Sequence, residues 1–280
     1  MDEGQESSAA GFAAGRREVP RLLWRDSSAS TNTELVRLAV DEELPAFTTL
    51  ITGDQTAGRG RLDRAWIAPA GTALAISVLV RAETPSGRPI GSAGLGWLPL
   101  AAGVAMCDAV TAVLPSGPRV GVKWPNDVQV DGRKVCGILS ELVPPSAASP
   151  GLAVVIGAGL NVTMSEQQLP VPTATSLALA GADAADLSDR VLAAYLRALT
   201  SVVTALWQSE GDADRSGLRA AVIERCTTIG REVRVELPGG AELLGRATGI
   251  DDMGRLEVRG ADGQVRAVAA GDIIHLRSDR

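Results

Sequence analysis

The sequence predicts an α+β fold, with strands and helices intermixed up to about residue 226 and a small all-β unit beyond it. Three observations point there. Before residue 226, apolar runs of strand length alternate with stretches of helical spacing. From Thr228 onward the runs are short and alternating (Val233, Val235, Leu237; Leu256, Val258; Ile273, Ile274, Leu276). Pro238-Gly239-Gly240, Asp252-Met253-Gly254 and Asp262-Gly263 separate them, the pattern of a barrel of the SH3 kind. Third, 45% hydrophobic and 21% charged residues in 280 make an ordinary globular composition, enough for one large domain or two smaller ones.

The elements follow in chain order. Residues 1–20 are small, polar and charged; they read as a flexible tail and carry no apolar signal-peptide core. A short strand is expected over 21–26. Thr31 with Glu34 three residues later is a capping-box pattern, and Leu35, Val36, Leu38 and Ala39 give the helix behind it an apolar stripe. Residues 48–52 read as a strand, 53–64 as a Gly/Arg-rich loop, and 71–80 as a buried strand. The uncharged run 89–107 is long enough to raise a membrane span, but Gly91, Gly94, Gly96, Pro99 and Gly103 favour a packed helix over 94–114. Val120 and Val122 lead into Lys123-Trp124-Pro125-Asn126-Asp127, and Val128 and Val130 run to Asp131-Gly132, a strong hairpin signal returning through 133–142. Val154, Val155 and Ile156 open another strand, ending in Gly157-Ala158-Gly159-Leu160-Asn161. Helices are expected over 188–207, with Ser188 as N-cap, and over 216–226. The expected organisation is a tail (1–20), a main domain (21–226) and a separate barrel (227–280).

Charge and scarcity narrow the chemistry. Twenty-seven Lys and Arg against 33 Asp and Glu leave a net charge of −6, a poor balance for gripping a nucleic-acid backbone. Three cysteines, at 107, 136 and 226, form no disulfide framework or metal spacing and read as small buried hydrophobes. The single histidine, His275, reads as a barrel residue, which disfavours imidazole-based zinc sites and triads. Chemistry therefore falls to Lys, Arg, Asp, Asn and backbone amides.

Four segments could carry it. Gly58-Arg59-Gly60-Arg61, with Arg64 and Trp66 behind, could grip phosphate or carboxylate, or be a solvated basic turn; no Walker lysine follows. In Trp124-Pro125-Asn126-Asp127, Asp127 could contact Mg²⁺, or the run could close an Asx turn on itself. Lys134 lies just past the hairpin tip, where an exposed lysine is the plain alternative, yet Gly137 inside the same strand argues for something approaching its backbone. Gly157 to Asn161 lacks the third glycine and following helix of a dinucleotide fingerprint; a glycine-lined strand end offering Asn161 to a ligand fits better.

In their order and spacing these segments, with SASTN at 28–32 and ATSLAL at 174–179, resemble the biotin–protein ligase family over about residues 24–280. The resemblance implies a mixed β-sheet catalytic domain with flanking helices, like class II synthetases, and a C-terminal SH3-like barrel. It implies joining of biotin to ATP as biotinoyl-5′-AMP, with Mg²⁺ as cofactor, and transfer of biotin to a lysine of a biotin carboxyl carrier protein. On the biotin side it implies Ser30, Thr31, Asn32, Gln55, Gly58, Arg59, Lys134 and Gly137. On the nucleotide side it implies Arg61, Arg64, Trp66, Asn126 and Asn161, with Asp127 as a Mg²⁺ contact and Lys134, Arg59 and Arg61 as catalytic. Asp63 departs from the family's usual glycine in the arginine loop. Alternatives are a lipoate-type protein ligase and a regulator that only binds the adenylate or DNA. About twenty residues precede the pattern, too few for the winged helix of DNA-binding relatives. A stand-alone cytoplasmic ligase that binds neither DNA nor membrane is expected, in an oligomeric state the sequence does not fix.

Overall fold

The computed structural model describes residues 11–148, 150–236, 242–269 and 272–275; Leu237, Pro238-Gly239-Gly240 and Leu276 lie outside them. The main sheet has seven strands in the order β1-β2-β5-β9-β8-β7-β6. These are β1 (Leu22–Arg25), β2 (Thr49–Thr52), β5 (Ala73–Arg81), β6 (Val120–Lys123), β7 (Asp127–Val130), β8 (Arg133–Val143) and β9 (Ala153–Asn161). β1 and β2 run parallel and every other pair antiparallel, so the sheet is mixed. A small hairpin, β3 (Gly58–Arg59) with β4 (Ala65–Trp66), stands apart from it.

Helices cover both faces, which is why β5 reads as an almost unbroken apolar run. On one face, α2 (Thr31–Asp41) buries Leu35 and Ala39 against Leu50, Leu79, Val143 and Val155. On the other, α4 (Leu98–Val113), preceded by the short α3 (Ser92–Gly96), packs on the sheet, and α5 (Leu187–Gln208), followed by α6 (Leu218–Arg225), packs against α4. Among the described residues, the spans Ser92–Val113 and Leu187–Gln208 are long and apolar enough to cross a membrane. Much of each is buried inside the protein, and α4 is the packed helix expected from its glycines.

Three local expectations need correction. Residues 11–20 are not a tail: Phe12 and Val19 are buried, Phe12 stacks on Trp24, and α1 (Ala13–Arg16) docks on α5. The signal was a lone phenylalanine, too little apolar pattern to register. Asp189 makes this contact, accepting from the backbone N–H groups of Ala14 and Gly15 at 2.9 and 2.8 Å. Ser188 accordingly does not cap α5, which begins at Leu187 after Asp186 in a left-handed conformation. The first cap is also displaced. Ser30, not Thr31, caps α2, and Glu34 turns to Arg25 (2.6 Å) and Ser28 (2.8 Å) instead of closing a capping box.

Beyond residue 226 lies a five-stranded antiparallel sheet, order β13-β12-β11-β10-β14. Its strands are β10 (Glu232–Glu236), β11 (Glu242–Ile250), β12 (Leu256–Arg259), β13 (Val265–Val268) and β14 (Asp272–His275). It is not a separate body: Val233, Val235, Leu256 and Val258 belong to the same buried cluster as α4 and α5. The β11–β12 turn acts as a plug. Asp252 O accepts from Trp97 Nε1 at 2.9 Å and Gly254 O from Trp124 Nε1 at 3.1 Å, while Arg219 donates to Ile250 O at 2.9 and 3.0 Å. Both indoles are buried, so each N–H needs such an acceptor.

Candidate active site

Two transverse rows of the main sheet form a floor. Ala75, Gly159, Gly137 and Asp127 stand opposite one another across β5, β9, β8 and β7; Ser77, Gly157 and Leu139 make the next row. Residues two apart share a face, so both rows look toward the α2 side. The first residues of α2 and the β3–β4 hairpin border this floor, enclosing a cavity of about 620 Å³. The glycines are required by what lies on them. A Cβ on Gly157 would stand 2.3 Å from Asn32 Oδ1, and one on Gly159 2.6 Å from the Trp66 ring.

Beneath the cavity the polar groups are tied together. Asn32 Oδ1 can only accept, so Ser77 Oγ donates to it at 2.6 Å. Ser77 Oγ and Thr31 Oγ1 are 2.8 Å apart, and Gln55 Oε1 accepts from Thr31 N at 2.9 Å. Asn32 Nδ2 donates to Leu139 O (3.1 Å) and Glu141 Oε2 (2.8 Å), which fixes the amide's orientation. Ser77, Thr31 and Asn32 are buried. Gly58 and Gln55 meet at the base of the hairpin, where a Cβ on the glycine would stand 2.5 Å from Gln55 Nε2.

The rim is built from cations held by acceptors. Arg59 Nη2 donates to Glu141 Oε1 at 2.7 Å and Thr33 Oγ1 at 2.9 Å. Arg61 Nη1 donates to Asn126 Oδ1 at 3.2 Å, while Asn126 Nδ2 clamps its own loop to β8 through Ile138 O at 2.7 Å. Lys134 Nζ pairs with Asp127 Oδ1 at 2.6 Å, running over Gly137, where a Cβ would come within 3.0 Å of Nζ. Its backbone is pinned on both sides: Lys134 N donates to Thr173 O, and Thr175 N to Lys134 O, each at 2.8 Å. Asn161 Nδ2 holds that same segment by donating to Thr175 O at 2.9 Å, a structural use. Arg64 and Trp66 line the cavity from the hairpin. The Asp63 side chain lies outside what the structure describes.

Every residue picked from the sequence except Gly58 lines the cavity, and Gly58 packs behind it on Gln55 and Trp66. Several others were not picked. Lys123, Glu236 and Ile273 line it too, the last two from the C-terminal sheet. Ser77 was detectable as the lone hydroxyl inside an apolar strand; Glu141 lies four residues after Gly137 on the same strand and carried no spacing signal. Around the cavity stand Arg59, Arg61, Arg64, Lys123 and Lys134 against Asp127 and Glu236, five cations to two carboxylates in a chain of net charge −6. Such a surplus suits an anionic ligand.

Burial pushes the Cys107 thiol up to about 12, and pushes Cys136 further in the same direction, so neither offers a thiolate. His275 is pushed down to about 4, first by burial and then by Lys123 and Arg231.

Comparison with known proteins decides the family. Residues 25–161 match the biotin/lipoate A/B protein ligase family, and residues 228–276 the biotin protein ligase C-terminal domain. The biotin--[acetyl-CoA-carboxylase] ligase of Mycobacterium tuberculosis is 39% identical over 268 residues, covering 95% of this chain and 92% of the relative. The chain belongs to the biotin protein ligase family. Within it, the Paracoccus denitrificans biotin--[acetyl-CoA-carboxylase] ligase is 32% identical over 84% of this chain and 92% of its own length. The Escherichia coli bifunctional ligase/repressor is 31% identical, over 82% of this chain and 67% of its length. Among solved structures, the Aquifex aeolicus biotin protein ligase in complex with biotin and ATP superimposes with a TM-score of 0.67. It covers 92% of this chain and 100% of its own at 24% identity, a likeness of fold. Biotin ligase members are enzymes, and the mixed sheet with a small C-terminal antiparallel sheet is their architecture.

Proposed function

We propose that this protein activates biotin with ATP and transfers it to a lysine of a biotin carboxyl carrier protein. The observation that carries this reading is the cationic rim above a small-residue floor. Biotin's carboxylate and the α-phosphate are both anions, and positive charge must offset their repulsion before in-line attack. A carboxylate oxygen bonds to the α-phosphorus, the bond to the β-phosphate oxygen breaks, and pyrophosphate leaves. No general base is needed, because the nucleophile is already ionised. In the second step the carrier's lysine nitrogen attacks the acyl carbon, AMP departs, and the amine loses a proton to solvent.

The roles follow from placement. Ser30, Thr31, Asn32 and Gln55 bind the ureido end of biotin, and Gly137 and Gly159 leave room for its rings and tail. Arg59 and Lys134 take the carboxylate, and Arg61, Arg64, Trp66, Asn126 and Asn161 form the nucleotide side. Lys134 leaves Asp127 for the anionic centre as charge develops there. Asp127 is one carboxylate, and no cluster of three or more potential ligands occurs among the described residues. The donor set therefore fits Mg²⁺ held largely by ATP phosphates, with Asp127 as its protein contact. That ion supplies charge neutralisation at the phosphates. Residues 227–280 form the SH3-like unit of a class II synthetase-like enzyme, and the protein works in the cytoplasm without binding DNA.

The test is pyrophosphate release that depends on both biotin and ATP, with labelled biotin appearing on an apo carrier domain. Lipoate transfer at the same rate would move the assignment to the lipoate branch of the family.

A further inference from the structure

We propose that Glu141, which lies outside the cavity wall, is a positioning residue whose two carboxylate oxygens lock the biotin-side floor to the arginine rim. Its Oε2 accepts from Asn32 Nδ2 at 2.8 Å and its Oε1 from Arg59 Nη2 at 2.7 Å. One carboxylate thereby joins a buried amide to a guanidinium about half exposed. Asn32 is fixed further by Ser77 and Leu139 O, so Glu141 is anchored to the buried end and transmits that order outward.

The donor count supports positioning over mere charge balance. Both Nη2 hydrogens of Arg59 are used, one on Glu141 and one on Thr33 Oγ1. The remaining N–H groups of the fork face no protein acceptor among the described residues. Arg59 can stay tied to Glu141 while those donors meet an anion, here the carboxylate of biotin; the inference rests on the functional reading above to that extent. Holding a long side chain in one place before the ligand arrives removes an ordering cost from binding. Glu141 therefore acts on ligand affinity through Arg59, and little on the chemical step.

The chemistry of glutamine separates the two arms. In Glu141→Gln the side-chain carbonyl still accepts from Asn32, but the amide presents hydrogens to Arg59, donor against donor. The experiment measures the biotin Kd by calorimetry and kcat by pyrophosphate release for wild type, Glu141→Gln, Arg59→Ala and the double variant. Glu141→Gln is expected to weaken biotin binding roughly tenfold with kcat within about twofold and an unchanged melt. In the Arg59→Ala background the same change is expected to add less than about twofold, the signature of coupled neighbours. Additive losses, or wild-type affinity in Glu141→Gln, overturn the proposal. A wild type that neither binds nor turns over biotin instead brings down the functional reading, and this inference with it. Glu141→Asp, too short to span both partners, is expected to fail on the Arg59 arm while folding normally; full affinity there also counts against the role.

Discussion

At the floor of the cavity Ser77, Asn32, Thr31 and Gln55 are joined by contacts of 2.6–3.0 Å, and at the rim Arg59, Arg61 and Lys134 meet Glu141, Asn126 and Asp127 directly at 2.6–3.2 Å, but with long, partly exposed side chains. Ser77, Asn32 and Thr31 are buried, Gln55 is half-buried, and their partners come from α2 and the sheet, so their order belongs to folding itself. The rim's ion pairs are partly exposed, with side chains of Lys134 and Arg59 at 41% and 49%, and such pairs contribute little to stability. The two regions therefore hold their residues for different reasons. Floor residues are held because the fold needs them satisfied; at the rim Arg59 is held by two acceptors at once, while Lys134 has a single partly exposed carboxylate partner that a bound anion can replace.

The largest expected effect tests the rim. Lys134→Ala should slow adenylate formation by roughly two orders of magnitude, the scale of losing one preorganised electrostatic stabiliser. Its melting temperature should stay put, and Lys134→Arg should recover only part of the rate, since a planar fork does not replace a compact ammonium. A wild-type rate in the alanine variant, read by pyrophosphate release, would erase the distinction.

A floor substitution should behave otherwise. Gly159→Ala places a Cβ 2.6 Å from the Trp66 ring. Overpacking of that kind typically costs about 1–3 kcal/mol, so biotin affinity by calorimetry should fall roughly tenfold or more, and the melt should drop as well. Ser77→Ala should act more gently on binding but still on folding. It strands the buried Asn32 Oδ1, a loss of about 1–3 kcal/mol, visible as a melt lower by several degrees in scanning calorimetry. If either variant lowered kcat alone with an intact melt, floor and rim would be one class.

The smallest effect lies outside both and serves as the control. His275, folded at about 4 against 6.5 when free, favours its neutral form in the native state. Its contribution is present above pH 6.5 and is lost as the pH falls toward 4, because the unfolded chain then takes up the proton first. His275→Gln should flatten the melting profile slightly over that window, with activity at neutral pH unchanged.

Legibility in the sequence tracked distance along the chain. The Asp131-Gly132 turn, the apolar β5 and the Arg59, Lys134 and Asp127 clusters are local patterns, each written in a few consecutive residues. Glu141 reaches Asn32 and Arg59 across 109 and 82 positions, and Asp189 reaches Ala14 across 175. No periodicity records such meetings; they exist only once strands register and helices dock. The α5 cap erred for the same reason, whereas the α2 cap erred within a short stretch. Glu34 had a local partner available and took Arg25 and Ser28 instead. The C-terminal sheet looked separable because its strands alternate on their own, while its seat against Trp97 and Trp124 is invisible to alternation.

That seat has a consequence for the order of synthesis. The floor and the arginine rim are complete by residue 161, but Glu236 and Ile273 close the cavity from the C-terminal sheet. The indoles of Trp97 and Trp124 wait for carbonyls at positions 252 and 254. A chain still emerging from the ribosome thus carries nearly every residue of its site while one wall is missing and two tryptophan N–H groups lack acceptors. The last fifty residues therefore complete both the cavity wall and the hydrogen bonding of the two buried indoles.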